Sequence, residues 1–415
     1  MRIGINALGL LPGMIGGGEA YLRRLLDALG RVDGGSQYLV FTNRDNHQSF
    51  ASLPGNFRRL LYDFPARWTV PSLFMTRVLG EQFYLSLSAG RRRLDVLHSP
   101  FDTVPLLAPC ATVVTLHDIN FDAFPEARGR LPRLLARRLV ALSARRAEAI
   151  ITVSDFSRGQ IVSRLGVDAG RVWAVHNAGF GAAGGGGAEW AAAARRLGIT
   201  KPYVIAFSSV NPHKNIASLI RAFARLRLRD QWQLVVVGHL SLRGEQLPAL
   251  TRSLGLEGRV IMTGYLEDDL LRAALEHASA LAFPSFYEGF GIPVIEAMQC
   301  GVPVACSRAG ALPEVAANAA LFFDPGSVAD IAEVLERLLT DARLRQRLHA
   351  EGLRNARRFS WEQSARATLE VYRCASAGAA ARTSASSARL AIRSAALSAR
   401  SSLTSSRATV PQPKP

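Results

Sequence analysis

Lysine is almost missing from this chain. Of its 50 basic residues only Lys201, Lys214 and Lys414 are lysines, so nearly all the positive charge is guanidinium and each lysine is a compositional exception. Cysteine is scarce as well. Cys110, Cys300, Cys306 and Cys374 match no zinc or redox spacing, and three of them sit in apolar segments where they read as small core residues. No apolar run reaches the ~20 residues that a membrane span requires, and Pro12 and a glycine run interrupt the leucines that follow Arg2. Neither a span nor a secretory leader is expected, and the protein is expected to stay in the cytoplasm.

What is present is enough apolar residue for folded domains. Hydrophobic residues make up 48% of 415, which suits a globular chain of two ordinary domains, each with its own core. The formal charge of +17 implies attraction to polyanions, membrane or nucleic acid. Six of those charges, from Arg382 to Lys414, fall in residues 375–415, which hold no acid and much Ala and Ser. That composition reads as a disordered basic tail outside the fold, with a transient surface helix around Ala388 to Ser402. Leu131 to Glu148 reads as a basic helix in which leucines alternate with Arg133, Arg137, Arg138, Arg145 and Arg146. A solvated face explains most such helices; docking on an anionic membrane is the alternative.

Apolar runs alternate with helical stretches along the whole chain. Strands are expected at residues 2–8, Tyr38 to Thr42, Phe57 to Tyr62, Leu94 to His98, Thr112 to Leu116, Ile150 to Val153 and Val172 to His176, then at Tyr203 to Phe207, Leu234 to Val237, Val260 to Thr263, Ala280 to Phe283 and Val302 to Cys306. Such alternation predicts parallel sheets covered on both faces. Between the two series lies the Gly- and Ala-rich stretch from Gly179 to Gly198, read as a linker and a short alanine helix. The predicted organisation is a domain over 1–178, a linker over 179–198, a second domain over 199–359, a terminal helix over 360–374 returning to the first domain, and the tail. Each half is an α/β, Rossmann-like, doubly wound domain.

Ligands bind such sheets at the carboxyl ends of the strands. Gly16, Gly17 and Gly18 open a helix after the first strand; the spacing is that of neither a P-loop nor a dinucleotide fingerprint. His98-Ser99-Pro100 and His117-Asp118 each end a strand. Ser154 precedes a helix and reads as an N-cap. Lys214 follows the first strand of the second domain, where it would place a point charge on a diphosphate leaving group.

The stretch around which these features are organised is Pro284 to Cys300, with Glu288 and Glu296 eight residues apart. It reads as the crossover between two strands. Gly289 and Gly291 permit a sharp turn and close approach to a ligand, and Pro293 suits a helix start. The helix start offers amides and a positive dipole end to phosphate, while the two carboxylates accept hydroxyl protons. A nucleotide-linked sugar presents both kinds of group.

Glu288-x7-Glu296 with Gly-Phe-Gly between resembles the signature of glycosyltransferase family 4, retaining nucleotide-sugar transferases of the GT-B fold. The likeness extends over roughly residues 1–374. It implies two Rossmann-like domains facing across a cleft, the second binding the nucleotide-sugar and the first the acceptor. It implies that His117 touches the donor sugar and that Gly17 and Gly18 belong to a loop closing over the donor phosphates and the acceptor. Glu288 would hold sugar hydroxyls, Glu296 the ribose hydroxyls, Gly289, Phe290 and Gly291 would offer amides, and Tyr265 and Leu266 would lie against the base. The family's basic pair on the diphosphate is represented by Lys214 alone, because Ser208 and Ser209 stand where an arginine is expected; the Ser209 hydroxyl is read as a phosphate partner. No enzyme nucleophile is evident, and no Asp-x-Asp motif is placed to bridge a diphosphate, so no metal or other cofactor is expected. The His-Ser-Pro and Thr-x-His-Asp pair looks most like bacterial mannosyltransferases of surface polysaccharide assembly, with GDP-mannose as donor and a glycan or lipid-linked acceptor. Another GT-B enzyme, a UDP-sugar transferase or epimerase, stays open, as does a basic non-catalytic membrane or nucleic-acid binder. The chain has no stacking platform and no helix-turn-helix pattern, so no specific nucleic-acid partner is expected.

Overall fold

A computed structural model of the chain describes residues 1–10, 12, 17–62, 81–119, 130–180, 187–209, 212–238 and 246–381. Gly16, Asn211, residues 181–186 of the predicted linker and residues 382–415 of the predicted tail lie outside the described residues.

Two parallel sheets dominate the fold. The first has seven strands, β1 (Arg2–Asn6), β2 (Gln37–Thr42), β3 (Phe57–Leu61), β4 (Val96–Ser99), β5 (Ala111–Thr115), β6 (Ala149–Thr152) and β7 (Val172–Ala174), in the order β3-β2-β1-β4-β5-β6-β7. The second has six, β8 (Tyr203–Phe207), β9 (Gln233–Val237), β10 (Val260–Gly264), β11 (Ala280–Phe283), β12 (Val304–Ser307) and β13 (Ala320–Phe323), in the order β10-β9-β8-β11-β12-β13. Strand order reverses beside β1 in one sheet and beside β8 in the other, and the crevice at such a reversal is where an open sheet takes its ligand. Strands β4, β5, β6, β11 and β12 are buried at every residue, which is why they read as unbroken apolar runs rather than as alternating ones. The sequence reading stops the second sheet at β12. Strand β13 went unforeseen because its four residues, Ala-Leu-Phe-Phe, are too few for periodicity to separate a strand from a buried piece of helix.

The terminal helix joins the two halves. It runs over residues 361–381, so residues 375–381 are helical rather than part of a disordered tail. The alanine-rich sequence favours helix, and Ala375 is buried against the core. At the start of the helix the Trp361 indole N–H donates to the Gly179 carbonyl at 2.7 Å, and Arg31 of the Gly17–Val32 helix pairs with Glu362 at 2.8 Å. Farther along, the Tyr372 hydroxyl meets His98 Nδ1 at 2.7 Å, while His98 Nε2 meets the Thr115 hydroxyl at 2.8 Å. His98 is fully buried. One of the two histidines at the sheet edge is thus committed to packing the terminal helix onto the first sheet. Burial, with His117 nearby, holds its pKa down to about 3.

Tyr372→Phe should leave a buried ring nitrogen unsatisfied and cost about 1–3 kcal/mol in urea unfolding. His98 stays neutral in the folded state but protonates near pH 6.5 when unfolded. Its contribution is therefore complete above that pH and is lost as pH falls towards the folded value. The melting temperature should fall between pH 6.5 and pH 4, less steeply in His98→Gln, and equal slopes in the two proteins would contradict this role.

Candidate active site

The loop between β11 and the helix Ile292–Gln299 carries Glu288 and is clamped from three sides. Its glycine turn ends at Gly291, with φ of 100° in the left-handed region, and Pro293 occupies the first helical turn. The turn Pro212–Lys214 lies on one side. Asn215, itself left-handed at φ 56°, donates from Nδ2 to the Pro284 carbonyl at 3.1 Å and the Pro325 carbonyl at 2.8 Å, and the Phe286 amide donates to the His213 carbonyl at 2.8 Å. Those bonds bring Lys214 to the loop, where its Nζ pairs with Glu288 Oε1 at 2.7 Å and lies 5.0 Å from the centre of the Phe283 ring. Both side chains are largely buried, at 18% and 12% exposure, which strengthens the pair beyond a surface contact. From the other side the Ala311 amide donates to the Glu288 carbonyl at 3.0 Å, and a Cβ on Gly310 would stand 2.4 Å from that oxygen.

The third side belongs to the other domain. A Cβ on Gly289 would meet the His117 carbonyl at 2.6 Å, so glycine alone allows the loop to reach the end of β5. The Gly289 carbonyl accepts from the Ser154 hydroxyl at 2.6 Å and from the Ser157 hydroxyl at 3.2 Å. Ser154 also accepts from the Ser157 amide at 3.0 Å, as the N-cap of the helix Asp155–Leu165. The sequence reading recognised the cap but not its second bond, which crosses between domains.

His117 is half-buried on the cleft wall, with the Tyr21 ring edge-on at 4.7 Å and the Pro100 carbonyl 3.2 Å from Nε2. A carbonyl only accepts, so Nε2 carries the proton and Nδ1 is left as the accepting nitrogen. Protein packed around the ring lowers its pKa to about 4, partly offset by the Pro100 bond. A neutral acceptor at this point suits a sugar hydroxyl.

Glu296 lies on the first turns of its helix at 4% exposure, where burial raises its carboxyl pKa against the opposing pull of Arg24. Arg24, from the Gly17–Val32 helix of the first domain, donates to Glu296 Oε1 at 2.7 Å, to the Gly179 carbonyl at 3.1 Å and to Asp268 at 3.0 Å. Its guanidinium also faces the Phe180 ring at 5.5 Å. No sequence signal points to Arg24, one arginine among dozens. Its role follows only from the apposition of the two domains.

The remaining predicted residues are spread around this centre. Gly17 and Gly18 begin the helix that carries Tyr21 and Arg24. Ser209 follows β8 two residues on, beside the turn that bears Lys214. Tyr265 and Leu266 follow β10, the first half exposed and the second buried. The Phe290 side chain is buried and packs edge-on against Phe359 at 5.5 Å, which leaves only its backbone for a ligand. The structure brings Lys214, Glu288 and Gly289 directly together and sets Gly289 against His117.

Arg24→Ala should leave the Glu296 carboxylate buried without its main counter-charge, at a cost of about 3–5 kcal/mol in urea unfolding near pH 8. In that variant the folded-state pKa of Glu296 rises further above its unfolded value, so the folded protein binds the extra proton and regains stability as pH falls. The deficit should shrink at pH 5. A deficit independent of pH would mean that Arg24 matters for packing alone.

Comparison with known proteins agrees with the two-sheet fold. The family model for glycosyltransferase family 4 matches residues 15–178, and that for glycosyl transferases group 1 matches residues 192–355. The chain is 32% identical over 265 residues to O-antigen chain mannosyltransferase B of Escherichia coli, a match spanning 63% of this chain and 70% of that protein. It is 29% identical over 307 residues to the serotype-specific mannosyltransferase WbdA of Escherichia coli, spanning 70% of this chain but only 36% of the relative. Among solved structures, Anabaena HepE in complex with UDP-glucose superposes with a TM-score of 0.68 at 22% identity, covering 89% of this chain and 98% of that one. Two Rossmann-like sheets, a Glu288-to-Glu296 loop pressed against the opposite domain and these matches lead to one conclusion: the chain belongs to the family 4 glycosyltransferases and has the GT-B fold.

Proposed function

We propose that this glycosyltransferase moves mannose from GDP-mannose, with retention of anomeric configuration, onto a growing bacterial polysaccharide or its lipid-linked precursor. The observation that carries the proposal is the Lys214–Glu288 pair, 2.7 Å apart, held in the loop whose Gly289 abuts His117. In this reading Lys214 and the amides of the loop receive the diphosphate and stabilise its charge as it leaves. Glu288 exchanges part of its bond to Lys214 for sugar hydroxyls, and His117 Nδ1 accepts another. The departing phosphate oxygen takes the proton of the attacking hydroxyl on the same face of the sugar, which preserves the configuration without an enzyme nucleophile. Glu296 is assigned the ribose hydroxyls, Tyr265 and Leu266 the base, Ser209 a phosphate oxygen, and Gly17 and Gly18 the closing loop. No metal or cofactor has a part in it. The names of the Escherichia coli relatives support mannose and a polysaccharide product.

A lipid-linked acceptor fits a further feature of the first domain. The helix Arg130–Arg146 exposes Leu134, Leu135 and Leu142 beside Arg137 and Arg138, a composition suited to an anionic membrane surface from the cytoplasmic side. No helix among the described residues is long and apolar enough to cross a membrane.

The test is a thermal-shift panel of GDP-, UDP- and ADP-sugars followed by transfer assays. GDP-mannose should stabilise the protein by about 2.7 kcal/mol at a hundredfold excess over its dissociation constant. Lys214→Ala should lower kcat by about 10²- to 10³-fold. Glu288→Ala should lose turnover more than donor affinity, and Glu296→Ala the reverse. A response to UDP-sugars alone would overturn the donor assignment, and inversion at the anomeric carbon would overturn the mechanism.

A further inference from the structure

The helix Asp155–Leu165 of the first domain has an incomplete N-terminus. Its own cap, Ser154, satisfies the amide of Ser157, which leaves the amides of Asp155 and Phe156 without a partner from their own helix. Both find one in the other domain. Glu314 Oε1 accepts from the Asp155 amide and Oε2 from the Phe156 amide, each at 2.9 Å, and His176 Nε2 donates to Oε1 at 2.9 Å. A carboxylate thus sits against the positive end of a helix whose cap Ser154, with Ser157 in its first turn, holds the Gly289 carbonyl.

We infer that Glu314 is a positioning residue for glycosyl transfer, a cap lent by the donor-side domain that latches the cleft shut and seats the Glu288 loop against His117. The mechanical link is short. Glu314 stands on the helix Leu312–Ala316, directly after the Gly310-Ala311 segment that grips the Glu288 backbone. Anchoring Glu314 to the first domain therefore anchors Ala311, three residues back along the chain, and through its amide the Glu288 carbonyl. When the domains part, the Asp155 and Phe156 amides turn to water and the Gly289 carbonyl loses the two serine hydroxyls. The carboxylate oxygens of Asp155 and Glu314 and the ring of His176 also lie within 4.8 Å of one another, in the manner of a cation site. The bonds already made by both Glu314 oxygens and by His176 Nε2 favour the latch over that alternative.

The inference rests on the transferase reading for its kinetic consequence but not for its structural one, and two measurements separate them. Small-angle X-ray scattering of the full chain without substrate reads closure directly. Glu314→Ala should have a larger radius of gyration than the parent, with Glu314→Gln in between, because the amide keeps one accepting oxygen. Unchanged scattering in Glu314→Ala would overturn the latch whatever the protein transfers. In transfer assays, loss of charge-assisted bonds should lower kcat about tenfold in Glu314→Gln and about a hundredfold in Glu314→Ala. The dissociation constant for GDP should stay within about twofold, since the residues assigned to the nucleotide belong to Glu314's own domain whereas the lost bonds reach the first domain. A parallel fall in GDP affinity, or a wild-type kcat in both variants, would mean that Glu314 has only a structural role. Expansion on Glu314→Ala in a protein that transfers no sugar from any nucleotide would keep the latch and remove the transferase reading.

Discussion

The burial of the Glu296 carboxylate constrains the rest of this molecule. At 4% exposure it gives up most of its hydration, and the counter-charge comes from Arg24, a residue of the opposite domain. Breaking a buried pair is costlier than never having made it, so the pairing ties the first turns of the Ile292–Gln299 helix to the Gly17–Val32 helix. The same guanidinium binds the Gly179 carbonyl, which also accepts from Trp361. One oxygen at the domain junction is thus shared by the first domain and the terminal helix, and the junction is stiffened where the chain passes between sheets.

Around that clasp the two domains are joined by hydrogen bonds as well as by apolar contact, since one cluster of buried side chains runs through both. The Gly289 carbonyl, the Glu314 carboxylate and the Arg24 guanidinium each find partners across the domains at 2.6 to 3.2 Å. Such bonds exchange readily with water, each contributing on the order of 1–3 kcal/mol where a charged group takes part. A glycosyltransferase that must admit and release its ligands needs an interface of this kind, firm when complete and separable when several bonds are lost together. The glycines set how near the parts can come. Side chains at Gly289 or Gly310 would collide with backbone at 2.6 and 2.4 Å, and the Glu288 loop would then stand off from both domains.

Much of this was legible in residues alone. Most of the twelve expected strands announced themselves as buried runs, because a parallel sheet covered on both faces leaves no polar alternation to obscure them, whereas β3, β7 and β10 are only partly buried or not buried at all. The Glu288-to-Glu296 spacing placed one carboxylate in a turn and the other on a helix, as the structure has them, and the rarity of lysine drew notice to Lys214, which proves to be the partner of Glu288. Illegible were β13, too short for periodicity; the helical reach to residue 381, which depends on Ala375 finding a core to enter; and His98, whose ligand-facing position at a strand end is filled by Tyr372 from nearly three hundred residues away.

What the sequence by itself determined is local. Alternating apolar runs, a glycine turn before a proline, and acidic and basic groups at strand ends set the sheets, their crossovers and the chemistry at their edges, since each depends on neighbours within a few residues. Only the tertiary structure decided which of those groups would meet. Arg24 with Glu296, Glu314 with the amides of Asp155 and Phe156, and Ser154 with Gly289 are separated by 272, 158 to 159 and 135 positions. Pairings over such distances leave no period in the sequence. They exist because two separately wound sheets face each other, so that a charge or an amide left unsatisfied in one domain is answered from the other.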